Sequence, residues 1–399
     1  MGGSTMGFPL NDTITWMGKV DWERRRFRGE EYRIRCGSSH NAYLIRDEKT
    51  ALIDTVRAPF AREFVAKLKQ EIDLQRIDYI IANQGDYEQS GALPALMQEI
   101  PHTPIYCTAN AAKSLRGQYH QDWNFRIVKD GSKLSLGNKE ITFIDMTMLP
   151  WPDSIACHLS VDDILFSNNF FSQHLASDRL FNDCADGAAL LQEALRYYTL
   201  VFTPSNRLVE YKIKELRNLK LSMKMICPSH GVIWRDNPLQ IVDAYAKWAC
   251  AYHENQVSIL YDTMGNSTWR MAEAIAQGIR LADPQVVIKF FHTAKTDKAD
   301  LITEIFKSKA ILVGSPTVNR GIMSSVAGLL ECINGMTFKG KRAAAFGTFG
   351  WSGESARIIN RRLQEGGFTV IDFKREAWNP DDLALASCVQ FGREFVAKI

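Results

Sequence analysis

The 399-residue sequence predicts an α/β protein in two parts, a layered α/β domain over residues 1–251 and a doubly wound parallel sheet over 252–399. Three observations predict this. Before residue 250, β-type runs and amphipathic stretches mix without a fixed rhythm. From Gln256 onward, strand-like and helix-like segments alternate regularly for about 145 residues, the pattern of a parallel sheet. A hydrophobic content of 46% in a chain this long supplies material for more than one core.

In the first part, short β-type runs at 32–35, 42–46 and 51–54 lead into 60–72. There Phe64, Leu68 and Ile72 recur four residues apart along one helical face. The apolar run 79–82 ends in a polar loop, and a helix-like stretch follows at 93–100. Strand-like segments at 105–107, 140–144 and 164–167 continue the mixed pattern, which closes with 234–251. In the second part, a β-rich run at 257–261 precedes a helical 269–281. Strand candidates follow at 286–291, 310–313, 343–347 and 368–373, separated by helical patterns at 298–306, 325–332 and 354–365. Crossovers in such a sheet are right-handed, and ligands bind beyond the carboxyl ends of the strands, so chemistry is expected in the loops there.

Composition excludes several classes. With 48 Lys+Arg against 45 Asp+Glu, the net charge of +3 is too small for a nucleic-acid partner, and no block of like charge occurs. No run of roughly 18 apolar residues exists, which argues against a membrane span. The opening Met1 to Pro9 lacks a basic region followed by an apolar stretch, so it reads as a leader from gene-start choice or cloning and not as a secretion signal. Cys36, Cys107, Cys157, Cys184, Cys227, Cys250, Cys332 and Cys388 form no C-x-x-C pair, which excludes a zinc ribbon, an iron knuckle and a dithiol motif. They read as small, reduced, buried side chains of a cytoplasmic protein.

The loop after the first strand of the second part is Thr263-Met264-Gly265-Asn266-Ser267-Thr268, running straight into a helix. Hydroxyls, an amide and a glycine stand where unsatisfied N–H groups and the helix dipole attract an anion. A nucleoside-triphosphate loop would end in G-K-[ST], and a dinucleotide loop would read G-x-G-x-x-G; neither is present. A single terminal phosphate suits the loop, as does an ordinary Ser/Thr-capped helix. Two further loops favour the phosphate. Gly314-Ser315-Pro316-Thr317-Val318-Asn319-Arg320 and Gly347-Thr348-Phe349-Gly350-Trp351-Ser352-Gly353 each follow a strand. Both offer backbone donors and small residues, and Phe349 with Trp351 offers stacking surface for a flat heteroaromatic ring.

With these three loops, residues 256–399 resemble a flavodoxin domain. The resemblance implies FMN, with phosphate in the first loop and the isoalloxazine between the other two. Residues 11–250 resemble the metallo-β-lactamase-like αββα domain of flavodiiron proteins (type A flavoproteins), nearest within that family to the flavorubredoxin core. The likeness rests on Gly37-Ser38-Ser39, Ala51-Leu52-Ile53-Asp54-Thr55, Trp151-Pro152-Asp153-Ser154, Leu165-Phe166-Ser167-Asn168 and Ser229-His230-Gly231-Val232-Ile233-Trp234. It covers nearly the whole chain, and the cysteine spacing predicts no rubredoxin extension. The family implies a non-haem diiron centre that reduces O2 or NO. It also implies an electron-donating reductase or rubredoxin, and a head-to-tail homodimer that sets one chain's flavin beside the partner's iron.

The family's ligand pattern is H-x-E-x-D-H, a His before W-P-D-S, an Asp after S-N, and the His of S-H-G. Here the matching residues are Gln84, Asp86, Glu88, Gln89, Pro150, Asn169 and His230. Amide oxygens are weak neutral donors and proline has none, so of seven positions only Asp86, Glu88 and His230 keep a strong ligand type. Too few anionic and imidazole groups remain for a pair of iron ions. The three could form an open site for one divalent metal, or the amides could bond with them in a metal-free polar pocket. His40, His158 and His174 could line that pocket. The expected function is therefore an FMN-binding, flavodiiron-like electron-transfer protein without the usual diiron centre. The alternatives are an O2 or NO reductase with a rearranged, mononuclear metal site, or a non-catalytic partner of an active paralogue in a mixed dimer.

Overall fold

A computed structural model describes residues 6–336 and 338–399, which divide into two compact units. One comprises Met1–Arg25 with Ile34–Lys247, the other Arg26–Arg33 with Trp248–Ile399. The sequence-based boundary at 251/252 thus falls four residues late. The β-type run at 32–35 is also split. Tyr32–Arg33 pairs with Arg26–Phe27 in a two-strand hairpin counted with the second unit, where Glu31 accepts from Lys298 and Cys332. Of the expected leader, Met1–Thr5 lie outside the described residues, but Phe8–Pro9 is a strand paired with Thr15 and Trp16.

The first unit is built on two sheets. One has seven strands in the order Phe8–Pro9, Ile14–Trp16, Tyr43–Ile45, Ala51–Ile53, Tyr79–Ile81, Ile105–Cys107 and Phe125–Ile127. The other has five, in the order Lys133–Ser135, Glu140–Asp145, Ile155–Leu159, Ile164–Asn168 and Met225–Pro228. Alternation along the strands sorts their side chains into two cores. Tyr43, Ile45, Ala51, Ile53 and Ile81 meet Ile141, Phe143, Cys157, Leu159 and Phe166 of the five-strand sheet. Leu44, Leu52 and Ile80 point the other way, against Phe64 and Leu68 of the helix Ala61–Glu71 and Leu93 and Leu96 of Leu93–Glu99. Both faces of these strands are covered, which is why they read as continuous apolar runs. Two parallel strand pairs matter for function. Ala51–Ile53 lies beside Tyr79–Ile81 in one sheet, and Ile164–Asn168 beside Met225–Pro228 in the other. Loops leaving their carboxyl ends carry Asp54, Gln84 to Gln89, Asn169 and His230.

In the second unit, five parallel strands run in the order Val287–His292, Glu254–Tyr261, Ser308–Gly314, Arg342–Phe349 and Thr369–Ala377. This is the 2-1-3-4-5 order of a doubly wound sheet, with its switch point between the first and third strands. The helices Ser267–Ala282 and Asp382–Val396 cross closely because each contributes a glycine. A Cβ on Gly278 would sit 1.9 Å from the Val389 carbonyl oxygen, and one on Gly392 2.1 Å from that of Ile275.

The cysteines depart from expectation. All eight are free thiols, but Cys36, Cys184 and Cys250 are exposed and Cys332 half-buried; only Cys107, Cys157, Cys227 and Cys388 are buried. Among the described residues no helix is long and apolar enough to cross a membrane.

Candidate functional site

At the carboxyl edge of the second unit's sheet, the three loops come together as the strand order requires. In the first, Asn266 takes a left-handed φ of 66° at the start of the helix, Gly265 faces open space and Met264 is 68% exposed. The Thr263 hydroxyl oxygen is buried and bonded to nothing in the protein. An orphaned hydroxyl at a helix N-terminus is a group waiting for an acceptor, and a phosphate is one. Ser267 donates to Asn379 at 3.4 Å. Thr268 is fully buried, its hydroxyl 3.1 Å from that of Thr348, so these two tie the first loop to the third.

In the second loop, the Ser315 hydroxyl donates to the Pro316 carbonyl and accepts from the Met323 N–H, fixing the turn. The Thr317 N–H donates to the Thr348 carbonyl, and its hydroxyl donates to Ser355. Val318 and Gly321 exchange backbone hydrogen bonds around Asn319 and Arg320, both left-handed at φ 49° and 59°, so the loop ends in a tight hairpin turn. In the third loop, Gly353 at φ 73° brings its backbone against the Phe349 ring, and the Arg375 guanidinium lies 5.8 Å from that ring's centroid. One face of Phe349 is therefore engaged. Trp351 is 85% exposed and offers its ring freely, and Ser352 is spent on Glu354.

Sequence reasoning missed several groups here. The Asp262 carboxylate, buried just before the first loop, accepts from the Thr263 N–H at 2.7 Å and from Ser325. Trp378, Asn379 and Arg270 adjoin the loops from outside them. The Asn379-Pro380 turn signal after the fifth strand could have drawn attention to that segment.

In the first unit, the strand-end loops close around a polar pocket. The Gln89 Nε2 amide lies 2.9 Å from His230 Nε2 and 3.3 Å from Asn169 Oδ1. Asn169 Nδ2 donates to Gln84 Oε1 at 2.6 Å, and the Tyr197 hydroxyl donates to Asn169 Oδ1. His230 Nδ1 faces the Ser39 carbonyl at 2.8 Å. A carbonyl accepts only, so Nδ1 carries the proton and Nε2 is the acceptor for the Gln89 amide. Burial, reinforced by His40 nearby, lowers the His230 pKa to about 4, which keeps the ring neutral. Gln84 Nε2 and Gln89 Oε1 are buried and unbonded.

Asp86 and Glu88 turn to other tasks. Asp86 caps the short helix Tyr87–Ser90 by accepting the Glu88 N–H. Glu88 is ion-paired with Arg24 at 2.6 Å and lies 3.5 Å from Arg57 and 3.6 Å from His40. Burial pushes its carboxyl up, and the cations around it more than offset that. His40 and His174 stand beside His230, with ring centroids at 5.5 Å and 5.6 Å. His158 does not join them; it bonds to the Ser222 carbonyl. Buried Asp54, held by both nitrogens of Asn83, is pushed up to about 7 by desolvation. Among the described residues no three His, Cys, Asp or Glu side chains cluster as a metal site would.

Residues 38–231 match the ODP family beta lactamase and residues 259–390 match flavodoxin. The anaerobic nitric oxide reductase flavorubredoxin of Klebsiella pneumoniae is 48% identical over 391 residues, covering 98% of this chain and 81% of the relative. That of Escherichia coli O1:K1 is equally similar, with 82% of the relative covered. Among solved structures, the rubredoxin oxygen:oxidoreductase of Desulfovibrio gigas superposes with a TM-score of 0.93 at 32% identity, covering 98% of both chains. The flavodiiron protein of Giardia intestinalis gives 0.90 at 28%, covering 98% of this chain and 95% of the other. Fold and site thus define a β-lactamase-like domain joined to a flavodoxin domain. The chain belongs to the flavodiiron proteins.

Proposed function

We propose that this chain is an FMN-dependent electron-transfer flavoprotein whose front pocket holds a neutral amide network where relatives hold two irons. FMN, when bound, supplies one- and two-electron transfer. The residues at the sheet edge fit it. The Thr263 hydroxyl is unspent, Gly265 leaves room for close approach, and Trp351 presents an open aromatic face.

The front pocket does not fit a metal pair. The observation that carries this reading is the Gln89 amide on His230 Nε2, since that lone pair is the one an iron would need. Glu88 is committed to Arg24, Asp86 to a helix N-terminus, and Pro150 offers no donor. What remains are amide oxygens, which neutralise no charge.

Trp22, Tyr87 and Trp151 stand exposed near the front-pocket loops, as Trp351, Trp378 and Met264 do near the flavin loops. Such surfaces support a head-to-tail homodimer, or a mixed dimer with an active paralogue, in which each flavin edge faces the partner's front pocket. The electron donor is a reductase or rubredoxin, in keeping with the name of the Desulfovibrio gigas relative.

A second reading, nitric oxide or O2 reduction at a single metal held by Asp86, Glu88 and His230, is favoured by the 48% identity to nitric oxide reductases. Iron and zinc analysis of the purified protein, its visible spectrum and anaerobic NO consumption separate the two. The proposal expects a yellow protein without stoichiometric metal and without NO turnover. Iron bound in pairs with rapid turnover overturns it.

A further inference from the structure

We infer that the segment after the fifth strand, Trp378-Asn379, is a fourth wall of the flavin site, with the Trp378 indole against the ring system and Asn379 aiming Arg270 at the phosphate. This rests on the flavin reading above and adds to the three loops that define it.

The strand Thr369–Ala377 is paired with Arg342–Phe349 up to Phe349 opposite Ala377. The segment therefore leaves the sheet directly beside the loop that begins at Gly350, and it ends at Asp381, which caps the helix Asp382–Val396. Three features of Trp378 point to a ligand. Its side chain is 67% exposed beside the loop of the 85% exposed Trp351, so the two indoles form an open aromatic patch at the sheet edge. Its backbone sits at φ 54°, a conformation that bulky residues rarely adopt and that is costly to hold. It is held there by its N–H on the Phe349 carbonyl at 2.7 Å. Finally, the neighbouring loop makes room for the ring: a Cβ on Gly350 would stand 3.1 Å from it. A strained, exposed indole fitted over a glycine of the flavin loop is a stacking surface prepared for a ligand.

Asn379 works on the phosphate side. Its Oδ1 accepts from the Ser267 hydroxyl at 3.4 Å and from Arg270 Nη1 at 2.7 Å. Two donors converge on one oxygen, so the guanidinium is held next to the hydroxyl of the phosphate loop. The loop Thr263 to Thr268 itself contains no Lys or Arg. Arg270, with donors left over after Asn379, is the cation placed to meet a dianionic phosphate.

The two halves of the wall predict different ligand dependence. The full-length chain is stripped of flavin and titrated with FMN and with riboflavin, which lacks the phosphate, while flavin fluorescence is followed. Arg270→Gln and Asn379→Ala should weaken FMN binding about tenfold and leave riboflavin unchanged. Trp378→Ala should weaken both about fivefold and brighten the bound flavin, and Trp378→Phe should recover most of the loss. A purely structural role would move both flavins alike in all variants, and that result overturns the inference. So do Arg270→Gln, Asn379→Ala and Trp378→Ala chains that all bind both flavins like the parent. If the parent chain binds no FMN, the flavin reading itself falls.

Discussion

At the flavin edge the Thr263 hydroxyl is buried without a partner, Gly265 opens onto empty space and Trp351 is almost wholly exposed. In the front pocket the corresponding strand-end loops have turned inward on each other: Gln89 on His230, Asn169 on Gln84, Tyr197 on Asn169 and Arg24 on Glu88. Both regions sit at the carboxyl ends of parallel strands, the place where such folds collect ligands. The difference lies in whether the polar groups have been spent. A binding site keeps donors and acceptors in reserve and bears the cost of leaving them unbonded. Side chains at such positions can instead bond to one another, and amides do this without needing a counter-charge. Among the pocket's amides the atoms left over, Gln84 Nε2 and Gln89 Oε1, are one donor group and one acceptor, which suits a water; both His40 nitrogens also lack a hydrogen bond and face the Asp21 and Glu88 carboxylates at 3.6 Å.

The sharpest way to break this contrast is to give the front pocket the ligand pattern of the family. Replacing Gln84→His, Asp86→Glu, Glu88→Asp, Gln89→His, Pro150→His and Asn169→Asp together removes the amide that occupies His230 Nε2. It also supplies three imidazoles and a further carboxylate. Metal content after growth with iron should rise from background toward a pair of ions per chain, with FMN content unchanged. A sextuple variant that folds yet stays metal-free would mean that something other than these side chains closes the pocket.

Acid should separate the halves next. His230 titrates near 4 in the folded protein against an ordinary value of 6.5. Between those values the unfolded chain binds the extra proton and the folded chain does not, so stability rises with pH across this window and is lost as pH falls through it. Between pH 7 and pH 5 this one group removes about 2 kcal/mol. Burial lowers His40 and His174 as well, in the same sense, whereas Asp54, pushed up to about 7, takes its proton in the folded chain across the same window and offsets about one of these histidines. Once Nε2 is protonated, it points a donor at the Gln89 amide. Urea denaturation at the two pH values should show the front half weakening in acid while flavin release lags behind; simultaneous loss of both would contradict the contrast.

How much of this could be read from the chain depends on how local each feature is. The three loops at the sheet edge could be picked out because their composition is contiguous: hydroxyls and glycines in each, with an asparagine at a helix start in the first. The departures from the family's ligand pattern are visible without coordinates, because each is a matter of residue identity, an amide or a proline at a given position. The contacts these side chains make were not legible. Arg24 meets Glu88 across 64 positions, and Tyr197 reaches Asn169 from a helix that went unread. That helix, Gly187–Val201, is buried along nearly its whole second half, which leaves no clean amphipathic stripe to find. The excursion of Arg26–Arg33 to the second unit was hidden for another reason: a short hairpin held by Lys298 and Cys332 through Glu31 has no signature in its own sequence.

On the flavin side, Thr263→Val tests whether the unspent hydroxyl is a reserved donor. The change keeps the shape and deletes only a group that bonds to nothing in the protein. Folding stability should therefore hold or rise slightly, while FMN affinity falls about fivefold, the worth of one hydrogen bond of about 1 kcal/mol. Riboflavin affinity, measured in the same titration, should not change. Equal losses for both flavins would place the hydroxyl away from the phosphate.

The smallest effect is expected at Arg320, and it distinguishes strain that serves the ligand from strain that merely closes a turn. Asn319 and Arg320 occupy consecutive left-handed positions, where asparagine is tolerated and arginine is not favoured. Glycine is the usual second residue of such a turn. Arg320→Gly should stabilise the second unit by about 0.5 kcal/mol, the relief of a left-handed side chain less the added freedom of the unfolded chain. If the arginine is there only by tolerance, FMN affinity stays put and the melting temperature rises slightly. If the side chain reaches the flavin, affinity drops although stability improves, and the second loop then joins Thr263 and Trp378 as a place where folding energy is held back for the cofactor. The front pocket should offer no such position, because its amides already bond to one another; a stabilising substitution there ought to leave flavin binding unaffected.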